Sequence, residues 1–453
     1  MWPTLVANKI FKKRLGSSNF IADFPSYKEP LLGIVDIDQN SKTILNDHKD
    51  THKYKVFVST WNVGGIAPDE DLNIDDLFET CNNSCDIYIL GYCQNCFRFQ
   101  EIVPLRASNV LGSENNEISM KWNSKIREAL NKKTHQRGKD AKKQELKKNF
   151  PNKKENPAKC CEAPHDFQCI ISKQMVGLFI SVWIRRDLCP FIRHPSVSCV
   201  GCGIMGCLGN KGSVSVRFQL HETSFCFVCS HLASGGSEGD EKYRNSNVAE
   251  IFSRTSFPRG PLLDLPRTIL DHDHVIFLGD LNYRISLPEE TTRLLVENRD
   301  WDSLLENDQN LTKLCSMKTK LIMELMTGNM LRGWNEGAIK FGPTYKYCPN
   351  SDIYYGCCYH GKKAEKRRAP AWCDRIVWYG EGLKQLQYTR IESKLSDHRP
   401  VKAMFMAEVM VFPELMKNLQ SLFLSERYEQ IKTPLEVSTT DDFVNRKRSS
   451  FRL

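Results

Sequence analysis

The sequence has no long hydrophobic run. No stretch of its 453 residues approaches the roughly 18 consecutive apolar residues that a membrane-spanning helix needs. Near the N-terminus the best apolar run is Leu5–Val6, which is far too short for the core of a secretory signal peptide. Trp2 excludes N-myristoylation, and the C-terminal Ser-Phe-Arg-Leu is not a prenylation box. We therefore expect a cytoplasmic protein whose 18 Cys are mostly reduced thiols, with peripheral contact at the plasma membrane or a nuclear location left open.

Glycine and proline are also scarce. The chain has 26 Gly and 20 Pro, about a tenth of its residues, which excludes collagen-like and low-complexity proteins. A hydrophobic content of 41% and an aromatic content of 10% can build a sizeable core, so a wholly disordered chain is excluded as well. The length predicts one to three domains.

Excess positive charge is almost confined to one segment. Residues Asn131–Cys160 contain ten Lys and one Arg against three acidic residues, a net charge of +8 out of the +9 of the whole chain. A uniformly basic nucleic-acid-binding protein is therefore not indicated, and we expect no nucleic-acid partner. Because the segment is almost free of apolar residues, we predict a disordered insertion over residues 131–165. This insertion is either simply solvated or in contact with an acidic membrane.

Apolar runs with strand character recur along the chain and alternate with helical patterns. Strands are predicted at Tyr54–Thr60, Asp86–Gly91, Phe167–Arg185, Ser213–Gln219, Thr223–Ser230, Val275–Gly279, Ile376–Tyr379 and Val401–Met406, and helices at Asn109–Leu130, Pro288–Asn307 and Lys313–Thr327. This pattern indicates stacked sheets flanked by helices. We expect an N-terminal extension over 1–52, one large domain over 53–412, and a C-terminal helix with a disordered tail over 413–453. The first 15 residues form either a basic amphipathic helix at a membrane surface or a docked or disordered segment.

Polar residues recur where an apolar strand meets a loop, which is where chemistry is often located. They lie in the segments Thr60–Gly65, Ser230–Leu232, Leu278–Arg284, Pro370–Ile376 and Ser396–Pro400. Taken singly, each of the first four segments has a structural alternative: a turn at Thr60–Gly65, a structural histidine at His231, a loop cap at Asp280 and an ion pair of Asp374 and Arg375.

Two of these segments suggest acid–base chemistry. Asp280 and Asn282 are two residues apart, so both side chains are expected on the same side of an extended strand. A carboxylate beside an amide suits holding and deprotonating a water molecule. The Asp397–His398 pair adds an imidazole whose charge changes near neutral pH, and Asp374 is the candidate to orient its ring.

The order of these segments resembles the endonuclease/exonuclease/phosphatase superfamily. The resemblance implies a DNase I-like α/β fold, a four-layer α-β-β-α sandwich of two packed mixed β-sheets. It also implies hydrolysis of phosphate esters with a divalent metal.

Flanking residues resemble a narrower family, the inositol polyphosphate 5-phosphatases. The segments Thr344–Tyr347, Lys366–Ile376, Gly209–Gly212 and Trp334–Gly337 match its signatures over roughly Val56 to Met406, apart from the basic insertion. The chain looks most similar to the plant soluble (type I) enzymes, which lack long accessory domains. This implies Mg²⁺-dependent removal of the 5-phosphate from inositol polyphosphates such as inositol 1,4,5-trisphosphate, from phosphoinositides such as phosphatidylinositol 4,5-bisphosphate, or from both, in signalling.

The resemblance also implies roles for individual residues. The ligands of Mg²⁺ would be Glu101, Asn62 and, nearby, Asp397. The catalytic residues would be Asp280 as the base oriented by Asn282, His398 steered by Asp374, and His231. Substrate binding would involve Tyr345, Lys346, Lys366 and Arg368 at the 4-phosphate, with Lys211 adding to the same field. Lys and Arg suit this task because they recognise phosphate through charge and fork geometry.

One departure from the family pattern affects the metal site. About seven residues, Tyr92–Arg98, are inserted before Phe99–Leu105, the run that carries Glu101. Either Gln94–Asn95 occupies the ligand position, or the extra residues loop out and Glu101 returns to its place. We favour the loop, because Gln100–Leu105 matches the family without a gap.

Two other functions remain open from the sequence. One is a nuclease or sphingomyelinase of the same superfamily, in which the Lys366–Trp372 segment would have no obvious purpose. The other is a phosphoinositide-binding protein without catalysis, which would keep the basic residues and lose the metal site. The oligomeric state is also left open.

Overall fold

The computed structural model describes residues 19–23, 50–78, 85–93, 117–145, 166–203, 210–258, 265–309, 333–356 and 368–411, with side chains given up to residue 132 in the fourth of these ranges. Residues 1–25 and 53–409 belong to one compact unit, and a second unit comprises 26–52 and 410–453. The predicted helices over 313–327 and after Pro413, and the N-terminal 15 residues, lie outside the described residues.

The described residues contain two six-stranded sheets. The strands are β1 (Asp50–Asn62), β2 (Ile87–Cys93), β3 (Phe167–Met175), β4 (Leu178–Arg185), β5 (Ile192–Gly201), β6 (Gly212–Leu220), β7 (Thr223–His231), β8 (His274–Asp280), β9 (Asn335–Glu336), β10 (Asp374–Tyr379), β11 (Leu383–Arg390) and β12 (Val401–Val411). The first sheet has the order β11-β12-β1-β2-β4-β3 and the second the order β5-β6-β7-β8-β10-β9. In each sheet a parallel pair, β1 with β2 or β7 with β8, lies among antiparallel neighbours, so both sheets are mixed.

The helices among the described residues are α1 (Asp75–Phe78), α2 (Glu117–Glu145), α3 (Asp240–Arg254), α4 (Glu289–Glu297) and α5 (Trp301–Glu306), with short 3₁₀ turns at Arg186–Phe191 and Ile269–Asp271. None of these described helices is both long and apolar enough to cross a membrane.

Strand periodicity divides the apolar residues into three packed layers. Alternate residues of both sheets, such as Val58 and Val216, meet in the central layer between the sheets. The opposite face of the first sheet packs on α1 and α2, which bury Trp122 there. The opposite face of the second sheet packs on α3, through residues such as Ile251 and Phe277. The predicted α-β-β-α sandwich is therefore confirmed.

Helix α2 is longer than the sequence predicts. Residues 131–145, expected to be disordered, continue the helix to Glu145. Near the middle of α2 the Asn131 side chain is buried, and its Oδ1 accepts a hydrogen bond from the backbone N–H of Phe167 at 2.8 Å. This contact links the helix to the start of β3. Amino-acid composition alone gives no sign of such a contact. Residues 109–116 and 146–165 lie outside the described residues.

Two other predicted elements are each divided in two. Residues Phe167–Arg185 form a hairpin of β3 and β4, with Val176 in the left-handed backbone region at φ 50°. The helix predicted at Pro288–Asn307 is interrupted before Trp301, where Asp300 caps α5 by accepting a hydrogen bond from the backbone N–H of Ser303. The strands β5, β9 and β11 and the helices α1 and α3 were not predicted from the sequence.

Candidate active site

Strand ends from both sheets deliver the polar residues to one place. β7 and β8 are parallel, and their last residues, His231 and Asp280, are register partners. β10 runs antiparallel to β8, so its first residue, Asp374, lies opposite Asp280. Asn62 ends β1 in the other sheet, and its Nδ2 donates to Asp280 Oδ2 at 2.8 Å. The four side chains are buried and lie where the C-terminal ends of the parallel strands meet.

Asp280 lies at the centre of this cluster. Besides the Asn62 amide, its Oδ2 lies 3.3 Å from His231 Nε2 and 3.9 Å from His398 Nε2. Burial alone would raise its pKa, but the neighbouring His231, His398 and Lys211 hold the pKa of the Asp280 carboxyl well below its usual range. Asp280 is therefore a carboxylate that can accept a hydrogen bond from a water molecule.

Asn282 contacts Asp280 in a way the sequence did not predict. Strand β8 ends at Asp280, and Asn282 has a left-handed backbone at φ 56°, so the two side chains do not share one face of a strand. The Asn282 side chain donates to the Leu232 carbonyl at 3.2 Å and accepts from Arg284 Nη2 at 2.7 Å. Its backbone N–H donates to Asp280 Oδ1 at 3.1 Å. Asn282 thus orients Asp280 through the main chain.

Asp374 and His398 form a buried pair, as the sequence predicted. Their Oδ2 and Nδ1 atoms are 2.8 Å apart, and Thr344 Oγ1 donates to the same carboxylate oxygen at 2.8 Å. Burial favours neutral imidazole, but Asp374 and then Asp280 outweigh it and raise the pKa of His398 to about 9. His398 is therefore an imidazolium near neutral pH, held in orientation by Asp374.

His231 has the opposite protonation state. Burial, followed by the charge of Lys211, lowers the pKa of His231 to about 4, so its imidazole is neutral at physiological pH. Lys211 Nζ lies 2.6 Å from His231 Nε2, and burial lowers the pKa of this lysine to about 8. Lys211, one residue before β6, therefore adds its charge beside His231, and its predicted contribution to the 4-phosphate position stays a prediction.

The residues predicted to bind the 4-phosphate lie beside His398 of the Asp374–His398 pair. The Tyr345 ring lies with its centroid 4.4 Å from that of His398, and Tyr345 is paired through its backbone with both Ala371 and His398. Lys346 Nζ lies 3.8 Å from Asp397 Oδ2, and Arg368 is close enough for its charge to act on the Tyr345 hydroxyl. Lys366 lies outside the described residues, and its role stays a prediction.

The donor set for a divalent cation is partly present. The Asn62 Oδ1 atom accepts from the backbone N–H of Gly64 at 3.1 Å. A Cβ atom at Gly64 would lie 3.9 Å from Asp397 Oδ1, so an amide oxygen and a carboxylate oxygen flank this glycine. Hard cations such as Mg²⁺ prefer such oxygen donors, so Asn62 and Asp397 are ligands of the right chemical type for the ion.

A second group of potential metal ligands overlaps the catalytic cluster. One ligand atom each from Asp280, Asp374 and His398 lies within 4.8 Å of the others. The Asp374–His398 hydrogen bond already occupies one carboxylate oxygen and one ring nitrogen. Asp374 Oδ1 is buried without a hydrogen-bond partner among the described residues. We interpret the group mainly as an acid–base cluster, because a protonated His398 cannot bind a metal through its nitrogens.

Glu101 lies outside the described residues, so the third expected metal ligand stays a prediction. The region before it differs from the expected loop. Tyr92 and Cys93, the first residues of the predicted insertion, belong to β2 and pair with Phe179 and Leu178 of β4. Tyr92 also stacks on Trp122 of α2, with ring centroids 4.5 Å apart. Strand pairing and this aromatic contact explain why the strand continues beyond Gly91.

Sequence reasoning missed two residues that support the site. Arg284 is buried, donates to Asn282, and lies 4.7 Å from the centroid of the Tyr345 ring. Thr344 donates to Asp374. Arg284 lies in the segment Leu278–Arg284 and Thr344 in the segment Thr344–Tyr347. Their position next to predicted site residues was the signal that could have identified them.

Comparison with known proteins agrees with this geometry. Residues 59–404 match the family model described as endonuclease/exonuclease/phosphatase family 2. The chain is 61% identical to type IV inositol polyphosphate 5-phosphatase 9 of Arabidopsis thaliana, an alignment that covers 95% of this chain and 96% of the relative. It is 43% identical to type I inositol polyphosphate 5-phosphatase 8 of the same plant, with 90% and 86% covered.

A solved structure is similar as well. It is the inositol polyphosphate 5-phosphatase domain of SPsynaptojanin in complex with inositol (1,4)-bisphosphate and a calcium ion. The identity is 26% and the TM-score 0.56, with 86% of this chain and 94% of that chain covered.

Proposed function

The chain belongs to the inositol polyphosphate 5-phosphatase family of the endonuclease/exonuclease/phosphatase superfamily, and we propose that it hydrolyses the 5-phosphate of inositol polyphosphates such as inositol 1,4,5-trisphosphate. The observation that carries the proposal is the cluster of buried polar residues where strand ends of the two sheets meet. There Asn62 holds the Asp280 carboxylate beside a His398 imidazolium that Asp374 orients. The names of the relatives supply the substrate class.

The cluster supports in-line attack of water on a phosphate ester. Asp280 accepts a hydrogen bond from the attacking water and takes its proton as the new P–O bond forms. The P–O bond to the inositol 5-oxygen breaks in the same displacement, and this leaving oxygen takes up a proton from solvent to give the free hydroxyl. The Asn282 backbone N–H keeps the carboxylate in orientation. His398 donates a hydrogen bond to an oxygen of the 5-phosphate, where negative charge must be stabilised. Neutral His231 contacts the same phosphate, with the ammonium of Lys211 next to it.

We propose that the hydrolysis depends on Mg²⁺. Asn62, Asp397 and the predicted ligand Glu101 would hold the ion, which would supply neutralising charge to the phosphoryl oxygens when bound. The calcium ion in the related SPsynaptojanin structure supports a divalent-cation site in the family. Metal binding is measured by calorimetry on the wild type and on Asn62→Ala and Asp397→Ala. Equal Mg²⁺ affinity in all three proteins would contradict this ligand set.

The 4-phosphate is proposed to bind between Lys346 and Arg368, beside Tyr345. The Lys346 ammonium is only loosely paired with Asp397, at 3.8 Å, and both basic side chains are partly exposed. Lys366 is predicted to join them. Because phosphoinositides carry the same headgroup pattern, we extend the proposal to phosphatidylinositol 4,5-bisphosphate at an acidic membrane. Peripheral contact of a cytoplasmic protein with that membrane would involve the basic segment over residues 131–160.

One assay separates this function from its rivals. Phosphate release is measured from inositol 1,4,5-trisphosphate and from phosphatidylinositol 4,5-bisphosphate in vesicles, phosphocholine release is measured from sphingomyelin, and strand cleavage is measured on abasic DNA. We expect turnover of the first two substrates with Mg²⁺ and its loss with a chelator. Cleavage of DNA or sphingomyelin would favour another member of the superfamily. Binding of phosphoinositide vesicles without turnover would favour a binding protein.

A further inference from the structure

Arg293, on α4, connects two separate chain segments at the edge of the site. Its Nη2 atom donates to the backbone carbonyl of Tyr355 at 2.8 Å and to that of Arg368 at 3.2 Å. Residues 357–367, which lie between these two segments in the sequence, are outside the described residues. A single guanidinium nitrogen therefore holds together the last residues before this gap and the first residue after it.

Both carbonyls belong to residues next to the proposed 4-phosphate position. The backbone N–H of Tyr355 donates to the Lys346 carbonyl at 2.8 Å, and its ring lies 4.5 Å from the Lys346 ammonium. Arg368 is itself one of the proposed 4-phosphate residues. The two contacts of Arg293 thus link the residue that packs on Lys346 to the backbone of Arg368.

The Arg293 side chain is itself held in place. Its Nε donates to Glu289 Oε1 at 2.8 Å, one helical turn earlier on α4. Gly356 has a left-handed backbone at φ 94°, and a Cβ atom there would lie 2.8 Å from Arg293 Nη2. The chain after Tyr355 therefore passes so close to the guanidinium that only glycine fits without a shift. Arg293 is mostly buried, with 16% of its side chain exposed.

We propose that Arg293 is a positioning residue that determines selectivity for the 4-phosphate by fixing the spacing between Lys346 and Arg368. This inference rests on the proposed function, and it assigns Arg293 no contact with substrate. Its effect comes from geometry, since a planar guanidinium presents donors in a fixed fork, whereas a lysine ammonium is a flexible point charge.

The test compares wild type, Arg293→Ala and Arg293→Lys on two soluble substrates. Inositol 1,4,5-trisphosphate carries the 4-phosphate and inositol 1,5-bisphosphate lacks it. For Arg293→Ala we expect the ratio of the two kcat/KM values to fall about tenfold, the equivalent of weakening about one charged hydrogen bond. The loss should come mainly from a higher KM for the trisphosphate, while kcat for the bisphosphate stays within about twofold. Arg293→Lys should give an intermediate ratio.

Arg193 offers a matched control. Its guanidinium also donates to a backbone carbonyl, that of His221, and it forms an ion pair with Glu222 at 2.7 Å. His221 lies in the hairpin before β7, at the opposite end of that strand from His231. Arg193→Ala therefore removes a similar pair of contacts far from the site, and its substrate ratio should equal that of the wild type.

A binding measurement tests the inference separately from catalysis. Calorimetry compares inositol 1,4-bisphosphate with inositol 1-phosphate on the wild type and on Arg293→Ala. We expect the variant to lose about tenfold affinity for the bisphosphate alone. An unchanged preference in binding and in kinetics, or an equal loss for both substrates, would overturn the role of Arg293. Absence of phosphate release by the wild type would refute the proposed function, and the binding preference would still decide the role of Arg293.

Discussion

Replacing Asp374 by Asn removes a negative charge from the site while keeping the shape of the side chain. In the wild type this charge lies 2.8 Å from His398 Nδ1 and is the main reason why the pKa of His398 is raised to about 9. An asparagine oxygen can still accept the ring N–H, so the imidazole should keep its orientation. Without that charge, burial is opposed mainly by the more distant Asp280, and we expect the pKa of His398 to fall towards the ordinary value of about 6.5.

The expected loss of activity follows from the difference between the pKa of His398 in the wild type and in Asp374→Asn. A change of about 2.5 in pKa corresponds to about 3 kcal/mol of stabilisation of the imidazolium. If the imidazolium stabilises charge on the 5-phosphate in the transition state, kcat should follow the protonated fraction of His398. With only about a tenth of His398 protonated at pH 7.5, the variant should lose about tenfold in kcat at that pH and about 10²-fold near pH 9. Wild-type activity should persist as pH rises and decline only near pH 9. Activity of Asp374→Asn should already decline above about pH 6.5.

The assay is phosphate release from inositol 1,4,5-trisphosphate between pH 5.5 and 9.5, with saturating Mg²⁺ verified at each pH. Asp86→Asn serves as the control, because Asp86 is a buried carboxylate paired with Arg185 at the other end of β2. Its pH profile should match that of the wild type. A ratio of wild-type to Asp374→Asn activity that stays constant across this range would refute the reasoning. A variant that unfolds would be recognised by circular dichroism.

The same pair also affects stability. The pKa of His398 is raised in the folded protein, so its contribution to folding is complete below the ordinary value of about 6.5 and is lost as pH rises through about 9. Asp374→Asn should therefore show a smaller decrease in the free energy of unfolding over this window. Urea titrations at pH 6 and pH 9.5 measure the difference.

Three further changes give distinct outcomes. Asp280→Asn should reduce phosphate release by about 10²-fold or more, because the base is lost, with little change in melting temperature; near wild-type turnover would contradict its role. Arg375→Met should lower the free energy of unfolding by about 3–5 kcal/mol, because it leaves buried Asp308 and Glu336 without the guanidinium that lies 2.6 Å from each; a urea midpoint equal to that of the wild type would show that the carboxylates find other compensation. Deleting residues 146–160 should leave turnover of soluble substrate intact and weaken binding to acidic vesicles at low salt, by about 1 kcal/mol for each lysine near the surface; unchanged vesicle binding would mean that the segment is only solvated.

Much of the fold and of the candidate site could be predicted from local sequence patterns. Strand periodicity is a local property, and it located the C-terminal ends of β1, β7 and β8 within one or two residues. The polar residues Asn62, His231 and Asp280 directly end these strands, so their joint position followed once the sheets were expected to pack. The order of the motifs then identified the family.

Local patterns were less informative about helix limits and short connections. Charge and low hydrophobicity predicted disorder after Leu130, whereas α2 continues to Glu145 and is anchored at the buried Asn131. The break before Trp301 depends on the Asp300 cap and the left-handed Arg299, which interrupt an otherwise helical pattern.

By itself, the sequence determined which residue types stand at the strand ends, because alternation and motif order are encoded along the chain. Only the tertiary structure decided which atoms meet. Asn62 and Asp280 are 218 positions apart, and their hydrogen bond exists because the two sheets pack face to face. The turn after β8 rotates the Asn282 amide away from Asp280. Arg293 joins Tyr355 to Arg368 across the sequence. Such contacts depend on sheet order, backbone rotation and packing, and no short stretch of sequence contains that information.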